Sequence, residues 1–220
     1  LVDHGVKLKE DSLMGPCECL APEAIKFCLA NGADLNFRKE DSGETALDLA
    51  ITTYTMSDTR QGCIEALIQG GAKYAEEDGA AYDILRGRMD LVEERYKNDP
   101  DIVHHRFDLE TKRKLGQRAT YGGHHGGANL KNTTLLHVCA QFNFLKEAEW
   151  LIEHGADVNA RAVPDENGYG NQTPIFHAVT SNWNYCSPMV AFLADQGADL
   201  NIRSTIKFPV GDRTVFRNVT

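Results

Sequence analysis

One short phrase recurs along this chain and constrains its fold more than any other feature. The copies stand at residues 4–8 (HGVKL), 31–36 (NGADLN), 70–74 (GGAKY), 154–159 (HGADVN) and 196–201 (QGADLN). They follow stretches in which apolar residues recur at helical spacing. Before the fourth copy, Leu145, Ala148, Leu151 and Ile152 make one apolar stripe, and Gly155 supplies the left-handed residue that ends such a helix. This self-similarity indicates a chain of small structural repeats without a single central core.

A second phrase precedes these helices. It stands at residues 43–50 (GETALDLA), 133–140 (TTLLHVCA) and 172–178 (QTPIFHA). Its threonine, which is Thr45, Thr134 or Thr173, is suited to cap the free backbone N–H groups of a short helix. Pro174 suits a first helical turn, where no N–H donor is needed. Each unit is therefore predicted to be a helix, a short turn, a second helix, a glycine stop and an extended finger.

In their order and content, the two phrases resemble the T-P-L-H-x-A opening and the G-A-D-V-N close of the ankyrin repeat family. The resemblance is strongest in the last repeats. The segment EDGAAYDILRGRMDLVEERYKNDPDIVHHRF together with TPIFHAV is also similar to a group of uncharacterised bacterial ankyrin proteins. The resemblance implies an all-α solenoid of helix-turn-helix units with extended β-hairpin fingers. It also implies a scaffold that binds another protein and catalyses nothing.

The spacing of the phrases predicts a single array. Thr134 and Gly155 lie 21 residues apart, as in an uninterrupted repeat, whereas the corresponding distances of 26 (Thr45 to Gly71) and 24 (Thr173 to Gly197) indicate extra residues between the helices. The predicted parts are a repeat tail at 1–10, repeats at 11–37, 38–74 and 75–103, an inserted finger at 104–131, repeats at 132–160 and 161–203, and the finger of a next repeat at 204–220. Alternating apolar residues around Gly211 and Asp212 predict a β-hairpin in that last segment.

The resemblance implies that the first helices and the fingers line a concave groove that binds the partner. The positions after each opening phrase, expected to be exposed there, are Thr52, Thr53, Tyr54, Leu85, Arg86, Gln141, Phe142, Thr180, Ser181 and Trp183. Exposed aromatic residues are typical interface anchors, although Leu85 and Phe142 could instead pack against adjacent repeats.

Other residues are expected to hold the repeats together. Gly32, Gly71, Gly155 and Gly197 stand at the helix stops. His137 matches the motif histidine, whose ring is expected to form hydrogen bonds within its own opening and to the next. Asp48 replaces that histidine in the first full opening and could cap Thr45, whereas His177 falls one residue late, so the motif assigns it no role.

The insert at 104–131 differs from the rest of the chain. It holds six cations, two acids and four of the eight histidines, so its net charge is +4 and the remainder of the chain, which is −9 overall, carries −13. His104, His105, His124 and His125 could bind a transition metal. The run Lys112-Arg113-Lys114 could instead hold a polyanion, and a finger whose cations balance an acidic body is a third interpretation.

Composition excludes several classes of protein. A net charge of −9 argues against a general affinity for nucleic acid, and no apolar run reaches the 18 residues of a membrane-spanning helix. Three of the six cysteines sit at helical spacing among apolar residues, which favours a reduced, cytoplasmic protein. No phosphate-binding, metalloprotease or nucleophile-elbow motif occurs, so we expect neither an enzyme nor a cofactor. The chain is expected to be a monomer with a protein partner.

Overall fold

The computed structural model describes residues 7–53, 57–109, 130–164, 170–181, 187–210 and 213–219. Tyr54, Trp183 and all of the insert from 110 to 129 lie outside the described residues.

Ten α-helices and two strands make up the regular structure of the described residues. The helices are α1 (Met14–Glu18), α2 (Pro22–Ala30), α3 (Ala46–Thr52), α4 (Arg60–Gln69), α5 (Gly79–Leu85), α6 (Met89–Asn98), α7 (Leu135–Phe142), α8 (Leu145–Glu153), α9 (Pro174–Thr180) and α10 (Ser187–Asp195). The strands are β1 (Ser204–Val210) and β2 (Arg213–Val219), and short 3-10 helices lie at Glu76–Asp78 and Pro100–His104. These helices form an all-α repeat fold.

The chain divides into two compact units, each with its own interior. The first comprises Leu1–Glu76, Leu85–Arg88 and Glu110–Gly116. In it, α1 packs against α3 and α2 packs against α4, so the first helices of two successive repeats are neighbours, as are the second helices. Ile25 of α2, Ile64 and Leu67 of α4 are fully buried. Neither repeat could bury these side chains alone, which makes the neighbouring repeat part of each repeat's core.

The second unit comprises Glu77–Ile84, Met89–Leu109 and Gln117–Thr220. Helix α7 packs against α8 of its own repeat and against α9 of the next, and α10 packs against both α8 and α9. Leu135, Leu136, Leu151 and Leu193 are completely buried between these helices. The apolar stripes predicted from the sequence are therefore the surfaces through which successive repeats meet.

All four predicted stop glycines have the left-handed backbone. Their φ angles are +80° (Gly32), +105° (Gly71), +95° (Gly155) and +88° (Gly197). After α8, the N–H of Gly155 donates to the carbonyl of Ile152 and that of Ala156 to the carbonyl of Leu151. The left-handed residue thus turns the chain back on the helix end and satisfies its last carbonyls.

Strand pairing is limited to the C-terminal part of the described chain. β1 and β2 pair antiparallel, with Ser204 opposite Val219 and Val210 opposite Arg213. The described segments that join the earlier repeats hold turns and the bridge between Phe107 and Thr133, without paired strands. The β-hairpin fingers implied for those segments therefore stay a prediction.

Replacing Gly155 tests how much of a repeat's stability depends on its left-handed stop. No atom lies within 4 Å of a Cβ placed there, so the cost of a substitution arises mainly from the positive φ. We expect Gly155→Val to lower the free energy of unfolding by about 1–2 kcal/mol, and Gly155→Asn by less, because asparagine tolerates this conformation. Urea denaturation of both variants measures the difference, and equal losses would contradict it.

Candidate partner-binding surface

The helix-opening threonines begin their helices as predicted, and two of them form capping boxes. Thr45 Oγ1 accepts the N–H of Asp48 at 3.1 Å, while Asp48 Oδ2 accepts the N–H of Thr45 at 2.9 Å. In α7 the histidine replaces the aspartate, and His137 Nδ1 accepts the N–H of Thr134 at 3.2 Å. Each pair satisfies backbone donors that a helix start leaves free.

His137 also joins its repeat to the next one. Because Nδ1 accepts a backbone N–H, the ring proton is on Nε2, which donates to the carbonyl of Gln172 at 3.0 Å. Gln172 directly precedes Thr173 and α9, so this bond fixes the start of α9 relative to α7. His137 therefore forms one hydrogen bond within its own opening and one to the next. Its ring is completely buried, and burial lowers its pKa to about 4.

His177 is a second buried histidine, in contact with the first. The two rings meet edge to face with centroids 5.2 Å apart. Its Nδ1 donates to Gln141 Oε1 at 3.2 Å, and its Nε2 has no hydrogen-bond partner among the described residues. Burial, followed by the proximity of His137, holds the pKa of His177 well below its ordinary value. This histidine therefore ties α9 to the end of α7.

Thr173 occupies the cap position without acting as a side-chain cap. Its backbone is extended, with φ −104° and ψ 166°, and Pro174 opens the helix as expected. The buried hydroxyl makes no hydrogen bond among the described residues. Pro174 at the first helical position has no N–H to satisfy.

Three of the predicted contact residues stand at the C-terminal ends of α7 and α9, two helices that pack against each other. Gln141 is partly exposed and held by His177. Phe142 is also partly exposed and stacks on Phe144, with ring centroids 5.7 Å apart and planes at 25°. Thr180 is partly exposed, and its hydroxyl donates to the carbonyl of Phe176. We call Gln141, Phe142 and Thr180 the inner surface.

Three other predicted contact residues are not exposed. Leu85 is fully buried, which is the alternative left open by the sequence. Thr53 is buried, and its hydroxyl donates to the carbonyl of Glu18 at 3.0 Å. Ser181 is buried, and its hydroxyl donates to the carbonyl of Ala178. The prediction of exposure was wrong for them. The small hydroxyl side chains of Thr53 and Ser181 turn inward at helix ends to satisfy carbonyls, and Leu85 packs into the interior.

The remaining predicted positions are partly exposed or outside the described residues. The Thr52 hydroxyl donates to the carbonyl of Asp48. Arg86 forms an ion pair with Glu65 at 3.5 Å. Tyr54 and Trp183 lie outside the described residues.

Arg60 holds the C-terminal end of α3. Its guanidinium is buried and donates to the carbonyls of Ala50 (2.6 Å), Ile51 (2.8 Å) and Thr53 (3.2 Å). A cation at a helix C-terminus also interacts favourably with the helix dipole. Burial lowers the pKa of Arg60 to about 10, so the side chain keeps its charge at neutral pH.

The two ends of the insert are tied together. Phe107 exchanges two backbone hydrogen bonds with Thr133, and the N–H of Leu109 donates to the carbonyl of Leu130. Asp108 Oδ1 accepts the N–H of Asn132 at 2.7 Å. The insert therefore begins and ends at a closed stem. Its candidate metal ligands His124 and His125 and the basic run Lys112-Arg113-Lys114 lie outside the described residues.

The close of one repeat is also bonded to the close of the next. The Asn159 amide donates to the carbonyl of Gly197 at 3.2 Å, and its Oδ1 accepts the N–H of Asp199 at 2.8 Å. Asp157 and Asp199 each accept the N–H two residues later at 2.8 Å, which shapes the turn after the glycine. The Asp of the recurring phrase thus forms a hydrogen bond inside its own repeat, whereas Asn159 forms hydrogen bonds to the next repeat.

A family model of ankyrin repeats, in three copies, matches residues 97–204. This part of the chain belongs to the ankyrin repeat family. The match covers the histidine-linked helices α7 and α9 and the Asn159 contact, so the ankyrin assignment and the geometry agree where the sequence motifs are strongest. Ankyrin repeats are generally protein–protein interaction modules.

Two further observations concern membrane-spanning helices and metal sites. Within the described residues, every helix is too short or too polar to span a lipid bilayer. In the same part of the chain, no three His, Cys, Asp or Glu side chains are grouped so as to hold a metal ion.

Sequence reasoning missed Arg60, the bond from His177 to Gln141, and an aromatic cluster formed by Tyr96, Trp150 and His154. Only the last had a local signal, since Trp150 and His154 are four residues apart and so share a helix face. Arg60 and His177 are polar residues within apolar surroundings, and their partners are decided by tertiary packing.

Removing the Arg60 guanidinium tests its role in holding α3. Arg60→Met leaves three buried carbonyls without their donor, so we expect the free energy of unfolding to fall by about 2–4 kcal/mol. Arg38→Met is the matched control, because Arg38 is exposed and makes one longer bond, of 3.3 Å, to the carbonyl of Gly43. Its effect should stay within about 0.5 kcal/mol. Similar losses in both variants, measured by urea denaturation, would refute this role.

The buried histidines make stability depend on pH. Both bind protons less readily in the folded chain than in the unfolded one, where the ordinary pKa is 6.5. Stability is therefore complete above about pH 6.5 and falls as the pH drops toward 4, by at most about 1.4 kcal/mol per pH unit per histidine. We expect His177→Leu to reduce this slope and His154→Gln, at a partly exposed histidine, to preserve it. Urea denaturation between pH 7.5 and 4.5 gives the slopes, and an unchanged slope in His177→Leu would exclude this origin.

Proposed function

We propose that this chain is a non-catalytic ankyrin scaffold that binds a partner protein through the inner surface and the adjoining fingers. The observation that carries the proposal is the position of Phe142. It is partly exposed at the end of α7, next to Gln141, and it is stacked on Phe144 so that its ring has little freedom to lose on binding. A rigid, partly exposed aromatic residue of this kind is a typical interface anchor.

The helices beneath the inner surface support the same function. His137 and His177 link α7 to α9 from inside, so the side chains at the ends of these helices keep a fixed spacing. Val163, in the finger that leads to α9, is 48% exposed, and its N–H donates to the carbonyl of Asn132 in the preceding finger. Preorganised helix ends and fingers reduce the entropy lost when a partner docks.

The polar groups of the interior are suited to structure and not to catalysis. His137 and His177 are both completely buried, so neither can reach a substrate at the surface. Burial holds the pKa of the Cys139 thiol well above its ordinary value, which suppresses the reactive thiolate. We therefore assign a structural role to His137, His177 and Cys139.

Location and assembly are part of the same proposal. Cys17, Cys19, Cys28, Cys63 and Cys139 are free thiols, as expected for a reducing compartment such as the cytoplasm. We propose a monomer in that compartment, with Tyr54 and Trp183 as additional anchors of the partner.

Capture of partners from a lysate of the source cells, with quantification of each bound protein, tests the inner surface. The double variant Phe142→Ala with Thr180→Arg should lose about tenfold or more of the bound partner, since an anchor contributes about 2 kcal/mol. Phe27→Ala is the control, because Phe27 is a 50% exposed aromatic residue on α2 and is not part of the inner surface. Equal retention by both variants, with unchanged circular dichroism, would refute the assignment.

A further inference from the structure

Three aromatic rings on α6 and α8 form a cluster that the proposed function does not use. Trp150 and His154 stack with centroids 3.9 Å apart and planes at 20°. Tyr96 meets both rings edge to face, at 5.5 Å from Trp150 and 4.9 Å from His154. All three side chains are partly exposed. We call these three residues the outer aromatic patch, since it joins the second helices of two repeats whereas the inner surface lies on first helices.

The electron-rich ring faces of this patch favour a cation. Stacking of Trp150 on His154 holds the tryptophan ring in place, and tryptophan is the best aromatic partner for a cation. His154 Nδ1 donates to the carbonyl of Trp150 at 2.7 Å, so its Nε2 in the neutral ring is a hydrogen-bond acceptor. An incoming donor group therefore finds both a ring face and an acceptor.

Charges on the same helix faces point to the same kind of ligand. Glu147 and Glu153 stand three residues before and after Trp150, and Glu93 stands three residues before Tyr96, so they flank the rings. Glu93 and Glu153 are exposed and form no ion pair within the described part of the chain. Lys146 also flanks Trp150, which leaves these faces with a net charge of −2. The C-terminal end of α8, at His154, adds the negative end of the helix dipole.

We propose that the outer aromatic patch is a second docking surface, which binds an arginine-rich segment of a partner protein. Arginine fits better than lysine because its planar guanidinium stacks on a ring while its N–H groups reach carboxylates. Polyanions such as nucleic acid are disfavoured by the same flanking carboxylates.

The test measures binding of a fluorescein-labelled nonapeptide of alternating arginine and glycine to the whole chain by fluorescence anisotropy. We expect tighter binding than for the same peptide with lysine in place of arginine, and weaker binding as salt rises. In a Trp183→Phe background, Trp150 is the one remaining tryptophan, so the peptide should change its emission.

Two pairs of variants separate the patch from general effects of charge and hydrophobicity. Trp150→Leu and the double variant Glu93→Gln with Glu153→Gln should each raise the dissociation constant about three- to tenfold. Phe27→Ala and the double variant Glu76→Gln with Glu77→Gln change another exposed aromatic residue and two other exposed acids, and they should leave it unchanged. Circular dichroism checks that each variant is folded.

Three results would overturn the proposal. The first is absence of binding up to 1 mM peptide, which means a binding free energy weaker than about −4 kcal/mol. The second is equal weakening of peptide binding by the two double charge variants. The third is unchanged Trp150 emission when the peptide is bound. Because Phe142 and Thr180 are intact in every variant, none of these results bears on the inner surface.

Discussion

The hydrogen bond from His137 Nε2 to the carbonyl of Gln172 is the contact on which the second unit depends. A helix pair of this size cannot bury its own apolar face, so its stability comes from its neighbour. The histidine fixes that neighbour's position, because one ring nitrogen caps α7 and the other holds the residue before α9. Asn159 repeats the arrangement at the other end of the repeat, where one amide bonds Gly197 and Asp199. Together they set the register between repeats at both ends.

Several polar residues inside this fold donate hydrogen bonds to carbonyls at helix ends. Arg60, Thr53 and Ser181 all turn inward to carbonyls that a short helix leaves unpaired. Helices of seven to ten residues have most of their backbone groups in such positions, so the interior must supply many partners. His177 differs from these residues, since its Nδ1 bonds a side chain and its Nε2 is buried without a partner among the described residues. The folded interior therefore favours the neutral form of its histidines, so a fall in pH lowers the stability of the fold.

The described surface offers two different chemical environments on one set of repeats. The first helices present Phe142 and Thr180 beside fingers that are bonded to each other. The second helices present Tyr96, Trp150 and His154, flanked by carboxylates. A repeat fold permits this because each helix has one face toward its neighbours and another toward solvent, and the two kinds of helix have separate solvent faces.

The sequence by itself determined the repeat unit and the ends of its helices, because these depend on local chemistry. A threonine three residues before Asp48 or His137 predicts a capping box, and a glycine after an apolar stripe predicts a left-handed stop, whatever lies elsewhere in the chain. Only the tertiary structure decided which side chains are exposed. Thr53 and Ser181 stand eight residues after their opening threonines, as Phe142 does after Thr134, yet they are buried and Phe142 is partly exposed. Burial depends on packing between helices that are distant in sequence, and no local pattern contains that information.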